Sequence, residues 1–173
     1  MGSSSTTSPQ RRTFSAASFA FLTSASRAWV RSVGSATAAN NTGTVNTAVG
    51  HSALKVNTTG FNNTALGYNT LGSNTIGKEN TAIGQSALRS NTTGEYNVAV
   101  GGDALAINTT GVRNTALGNG ALDYNTTGNY NTAIGSTSLY SNTTGTSNTA
   151  VGRAALYYNV AKNESTAVGY NAM

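Results

Sequence analysis

The sequence contains no cysteine and a single proline. Without cysteine there is neither a disulfide framework nor thiolate chemistry, and the redox compartment leaves no mark on the chain. Charge is scarce as well. Asp, Glu, Lys and Arg together make 9% of the residues, against about a quarter in an ordinary globular domain. Little charge combined with little proline also argues against a solvated, disordered chain. Long hydrophobic runs are missing: the most apolar stretch, Phe14 to Val33, is interrupted by Ser15, Ser18, Thr23, Ser24, Ser26, Arg27 and Arg31. It falls short of the roughly 20 apolar residues that span a bilayer, so no membrane span is expected. The net charge of +5 is concentrated at the start, where residues 1–45 hold four arginines and no acid. The remaining six bases and five acids form no basic patch interleaved with aromatics, so no nucleic-acid partner is expected.

What fills the chain instead is Asn, Thr, Gly, Ala and Ser in a tandem repeat. A segment reading NTAVG begins at Asn46, and its counterparts begin at Asn63, Asn80, Asn97, Asn114, Asn131, Asn148 and Ser165, always 17 residues apart. Numbering Asn46 as position 1, the consensus is N-T-A-(V/L/I)-G-x-x-A-L-x-x-N-T-T-G-x-x. Seven copies are complete and the eighth reaches its ninth position at Met173. Position 3 is always Ala, position 4 always aliphatic, position 5 always Gly, and position 12 always Asn where it is reached. Positions 6, 7, 10, 16 and 17 vary freely.

Two glycines and two asparagines per 17 residues oppose a helical repeat. Short T-A-V and A-L runs between turn residues predict two brief strands per copy, and hence an all-β fold, a parallel β-solenoid of 17-residue repeats. Stacked in register, equal positions become columns. Positions 4 (Val49, Leu66, Ile83, Val100, Leu117, Ile134, Val151) and 9 (Leu54, Leu71, Leu88, Leu105, Leu122, Leu139, Leu156) are expected to be buried, and the asparagines to form hydrogen-bonded ladders. Positions 6 and 16 are expected to be mostly exposed. One coil buries little apolar surface alone, which predicts a homo-oligomer. The invariant column Ala48, Ala65, Ala82, Ala99, Ala116, Ala133, Ala150 and Ala167 is then expected to face out of the coil as the oligomer interface.

The N-T-A-V-G-x-x-A-L pattern resembles the head repeats of trimeric autotransporter adhesins, which read like S-V-A-I-G-x-x-A. It is more similar still to the NTAVGYxALxxNTTG arrays of tail-fibre proteins. The resemblance covers residues 46–173. It implies a left-handed β-roll, assembled as a trimer and used for extracellular reach and attachment at a cell or virion surface. The sequence departs from those families in two expected absences, a membrane-anchoring barrel and a self-cleaving C-terminal chaperone domain, so neither attachment mechanism carries over.

Three segments are expected: residues 1–29, residues 30–45 and residues 46–173. In the first, Arg11-Arg12-Thr13-Phe14 ahead of an apolar run resembles a twin-arginine export signal. The alternative is an amphipathic docking or clamp element built on Phe14, Phe21, Leu22, Ala25 and Trp29. Residues 30–45 read as a degenerate first repeat, one residue short. The sequence A-A-N-N-T-G-T-V of residues 38–45 matches the positions that follow Met173 in the pattern, which raises head-to-tail stacking of subunits as an expectation, against a simple decayed rung.

Catalysis is not expected. His51 stands at variable position 6, and Glu79, Glu95, Asp103, Asp123 and Glu164 recur in no fixed pair. Neither a metal nor a cofactor is expected, since calcium-binding rolls need an Asp in each turn where this chain has Asn-Thr-Thr-Gly. Besides the fibre or adhesin role, two functions come from residue columns. Thr47, Thr64, Thr81, Thr115, Thr132, Thr149 and Thr166, broken only by Val98, suggest ice binding. Tyr124, Tyr130, Tyr140, Tyr157 and Tyr158 suggest a tip that binds surface glycans or a host receptor. Candidate N-glycosylation sequons occur at Asn40, Asn57, Asn62, Asn91, Asn108, Asn125, Asn142 and Asn163.

Overall fold

The structure, a computed structural model, describes residues 30–33 and 42–173. The export-signal or clamp segment, the sequon at Asn40 and the first half of the match drawn for residues 38–45 lie outside the described residues. Among the described residues, nine strands form one parallel sheet in chain order: β1 Val30–Val33, β2 Asn46–Val49, β3 Thr64–Leu66, β4 Thr81–Ile83, β5 Val98–Val100, β6 Thr115–Leu117, β7 Thr132–Ile134, β8 Thr149–Val151 and β9 Thr166–Val168. From β2 onward each residue pairs with its equivalent 17 places later, as Thr47 with Thr64 and Ala48 with Ala65. Between β1 and β2 the step is one shorter, with Val30 opposite Asn46. The chain is therefore an all-β solenoid whose rungs are the sequence repeats.

Each rung contributes one strand, not the expected two. The Ala-Leu run at positions 8 and 9 lies in a turn, because the leucine adopts a left-handed conformation: Leu54 and Leu71 have φ of 50°, Leu105 of 51°. A bulky residue there carries strain that the surroundings must offset. They do so by burial, since Leu54, Leu71, Leu88, Leu105, Leu122 and Leu139 are fully enclosed, each contributing about 1.5–3 kcal/mol. Coil-to-coil hydrogen bonding continues through this turn all the same. The Leu54 amide donates to the Thr70 carbonyl at 3.1 Å and the Leu71 amide to Ala87 at 3.1 Å. The wall is laddered without being strand.

The leucine column meets the alanine column across a single core that runs the length of the repeats. This reverses the predicted facing of the T-A-V strand. Ala48 through Ala150 are buried inside their own coil, while Leu66, Ile83 and Ile134 are 45%, 36% and 39% exposed. A strand of three residues alternates in and out, so a shift of one place exchanges the faces. With leucine reaching in from the turn wall, only a methyl fits opposite it, and the larger aliphatic is turned outward. The tight packing inferred from the invariant alanine is present, but its partner is the coil's own leucine and not another chain. Position 6 is mostly exposed, as expected. Position 16 is half-buried in six of its seven copies, and position 17 is the exposed one from Asn62 to Tyr130.

Two asparagine ladders line the remaining core. At position 1, the Asn63 amide nitrogen and Nδ2 both donate to Asn46 Oδ1, at 2.9 and 3.2 Å, and the pattern repeats up to Asn148. At position 12, Asn74 Nδ2 donates to Asn57 Oδ1 at 2.8 Å, and the pattern repeats up to Asn142. Both columns meet at the position-15 glycine, whose carbonyl in Gly60 accepts from Asn46 Nδ2 and Asn57 Nδ2. A side chain at Gly94 would sit 2.6 Å from the Gly111 carbonyl oxygen, so the convergence requires glycine. From Asn74 to Asn125 each position-12 amide finds partners above and below, and these buried bonds fix the register between coils.

Candidate functional site

With alanine turned inward, the outer surface of the sheet consists of positions 2 and 4. Position 4 supplies Val49, Leu66, Ile83, Val100, Leu117, Ile134, Val151 and Val168; position 2 supplies threonine in every copy but Val98. All sixteen of these residues are half-buried or exposed, and none is charged. The result is one straight apolar column flanked by one hydroxyl-bearing column, repeating at the strand spacing of about 4.7–4.8 Å. Contiguous apolar surface of this kind marks interaction sites.

The corner beside this face is glycine for a stated reason. Gly101 has φ of 134°, and a Cβ there would lie 2.6 Å from the Gly118 backbone. No other residue fits that backbone without displacing the next coil. The corner therefore sharply separates the sheet face from the turn wall that carries positions 6 to 11.

The sequons divide into two groups. Asn57, Asn91, Asn108, Asn125 and Asn142 are buried in the position-12 ladder. Their Nδ2 atoms are engaged, as where Asn91 donates to Asn74 Oδ1 at 2.8 Å and to the Gly94 carbonyl at 3.0 Å. A glycan on any of these five candidate sequons is incompatible with the folded coil. Asn62 and Asn163 are exposed.

His51 is exposed, lies 3.0 Å from Ser52 Oγ through Nδ1, and stacks on Tyr68. Among the described residues, no three His, Asp or Glu side chains converge as a metal-binding group. The acids are less scattered than the sequence suggests. Arg89 at position 10 pairs with Asp103 of the next coil at 3.2 Å, and Asp123 lies close enough to feel both. Burial pushes Asp123 up to about 6, the neighbouring Asp103 charge adds to the rise, and Arg89 opposes it. Asp123 Oδ1 is buried without a hydrogen-bond partner. Positions 7 and 10 of successive coils are neighbours only in three dimensions, and the wheel of a 17-residue coil is the signal that would have shown it.

The tyrosines also sort by column. Tyr124, Tyr140, Tyr157 and Tyr158 form a continuous strip with centroid separations of 5.1, 5.0 and 4.7 Å. Hydrogen bonding to Tyr124 pushes the Tyr140 hydroxyl up to about 12. Tyr130 is not part of the strip: it sits at position 17, where the Arg113 guanidinium lies between its ring and that of Tyr96. Among the described residues, no helix is long and apolar enough to cross a membrane.

Compared with family models, with curated proteins and with solved structures, the chain matches none.

Proposed function

We propose that this chain is a structural fibre or adhesin module of the cell or virion surface, whose subunits associate side by side through the outer sheet face. The observation that carries the reading is the uncharged, aliphatic position-4 column, unbroken over eight coils. Its period is that of the coil itself, so a second copy of the same solenoid matches it rung for rung. The resemblance to adhesin head repeats supports three copies around one axis and a left-handed roll. Stacking of such units end to end into filaments is the natural extension. A surface devoted to reach needs regularity more than a pocket, and the scarcity of charge and of convergent acid–base groups fits that role.

Light scattering combined with electron microscopy tests it. The intact protein is expected at a multiple of the 17.5 kDa chain mass, as rods or filaments. Leu117→Asp places a charge on the face and is expected to leave folded single chains. Ala116→Leu overfills the core and is expected to unfold the coil itself, costing about 1–3 kcal/mol or more. An intact protein that stays monomeric, or assembly unaffected by Leu117→Asp, would rule the reading out.

A second reading, ice binding, draws on one observation: the threonine column shares the same flat face as the aliphatic column. The two readings compete for that face. A thermal-hysteresis measurement on the Leu117→Asp variant and the intact protein separates them, since an ice-binding face gives activity that the charge abolishes and needs no change in mass.

A further inference from the structure

The outer sheet face is not the same on every coil. Positions 17, 2 and 4 alternate with the buried positions 1 and 3, so each strand turns three side chains outward. On β5 these are Tyr96, Val98 and Val100. Val98 is the one break in the threonine column, so β5 alone among β2 to β9 is aliphatic at both positions 2 and 4. Position 17 is Glu79 beside β4 and Arg113 beside β6. The strand spacing of about 4.7–4.8 Å sets these two charges equally far from β5, one on either side. We propose that the partner on this face is a second copy running in the opposite direction, related by a two-fold axis along β5. The inference rests on the side-by-side association argued above and gives it a direction.

Neither charge is used within the chain. Glu79 and Arg113 are exposed and, among the described residues, form no ion pair. Lys78 and Glu95, at position 16 of neighbouring coils, do pair, at 3.4 Å. Arg113 is held in place by its neighbours. Its guanidinium lies between the rings of Tyr96 and Tyr130, 5.1 and 5.6 Å from their centroids, and Nη1 donates to the Tyr130 hydroxyl at 3.0 Å. The guanidinium keeps further donors, and a carboxylate is the acceptor that matches their planar fork. Tyrosine and arginine are also the residues that carry much of the binding energy where two proteins meet.

A two-fold contact must be complementary to itself, each pair of residues occurring twice. An axis along β5 lays β4 of each copy against β6 of the other. Glu79 of each copy then meets Arg113 of the other, while Tyr96 and Val98 meet their own counterparts at the centre. The result is an apolar centre with charge at its margin, the usual anatomy of an interface. Farther out, β3 lies against β7, with Thr64 facing Thr132. The repeated columns by themselves fit at every shift of one coil, and the residues particular to β4, β5 and β6 select one register. Copies running in the same direction about an axis along the solenoid bring position 17 over position 4 instead. Arg113 then faces Leu117 and Glu79 faces Ile83, two charges covered without partners, which costs free energy. The resemblance alone supports three parallel copies; the placing of the charges favours two opposed ones.

Because the chain has no cysteine, single cysteines joined by a short bis-maleimide report which residues face one another. Val98→Cys is expected to link to itself as a dimer. Thr64→Cys is expected not to link alone, and to link when mixed with Thr132→Cys. Glu79→Arg and Arg113→Glu are each expected to weaken association about tenfold or more in a light-scattering dilution series, and the double exchange to recover most of the loss. An unchanged circular dichroism spectrum confirms that the coil of each variant is intact. Self-linking of Thr64→Cys as strong as that of Val98→Cys, or a double exchange no better than either single one, overturns the opposed arrangement and leaves side-by-side association standing. An intact protein that stays monomeric overturns both.

Discussion

Asp123 shows how one side chain is shaped by its column. It occupies position 10, where the same wall elsewhere holds Lys55, Arg89, Tyr140 and Tyr157. Its carboxyl is pushed from 3.8 to about 6, chiefly by burial. A raised acid binds more protons in the folded chain than in the unfolded one between those two values. Stability therefore falls as pH rises through that window and stays reduced above it. Asp123→Asn removes the ionisation, so the variant is expected to melt higher than the natural chain at pH 7 and to lose its advantage below pH 4. Thermal denaturation followed by circular dichroism at pH 4 and pH 7 checks it. No advantage at pH 7 would mean that water or a local rearrangement accommodates the charge.

At the scale of the repeated elements, the ladders carry the fold, and one of them is interrupted. Asn142 Oδ1 and Asn159 Nδ2 are both buried without partners. The cause is local: the seventh copy reads Asn159-Val160-Ala161-Lys162 where the others hold glycine last. Asn159 Oδ1 is taken by the Lys162 amide at 3.0 Å, so the amide is turned away from the column below. Two unsatisfied buried groups cost about 1–3 kcal/mol each. The coils beyond Asn142 are thus expected to open more readily than those before it, and Lys162→Gly with Val160→Thr to restore the ladder. Hydrogen exchange should show lower amide protection in residues 143–173 than in 63–140 for the natural chain, and levelled protection in the double variant.

The same elements show what was legible in the sequence. The 17-residue rung, the leucine core and the asparagine ladders follow from positions that hold one residue type in all seven complete copies. The facing of T-A-V does not, because apolar residues lie on both sides of a three-residue strand and the pattern permits either register. The strand expected at Ala-Leu is absent because seven leucines adopt positive φ, from Leu54 to Leu156, which no propensity for leucine foretells. The tyrosine strip was half visible: four of the five tyrosines grouped by the sequence lie together. Tyr170 and Arg153 belong to positions that look like free decoration until coils are stacked.

For the whole molecule, stability comes from neighbour-to-neighbour contacts rather than from a closed centre. Deleting residues 97–113 removes one complete coil and brings Asn114 beneath Asn80, with every ladder intact. That variant is expected to fold with the same circular dichroism per residue and a melting temperature within a few degrees of the natural chain. Deleting residues 97–105 instead places Ala106 where Asn97 stood and is expected to unfold the coils that follow. Equal loss in both variants would show that the coils are not interchangeable.

Interchangeable coils have a consequence for inheritance. The chain is a run of units of equal length that share their structural positions, and a gene that encodes like units in tandem is open to unequal crossing-over. In most proteins such an error destroys the reading frame or the core. Here an exchange between equivalent points of two units returns a chain that is longer or shorter by whole coils, each adding about 4.7–4.8 Å. The reach of the molecule is thereby a quantity that replication errors adjust in equal steps, in either direction, while the surface chemistry of every remaining coil is left as it was.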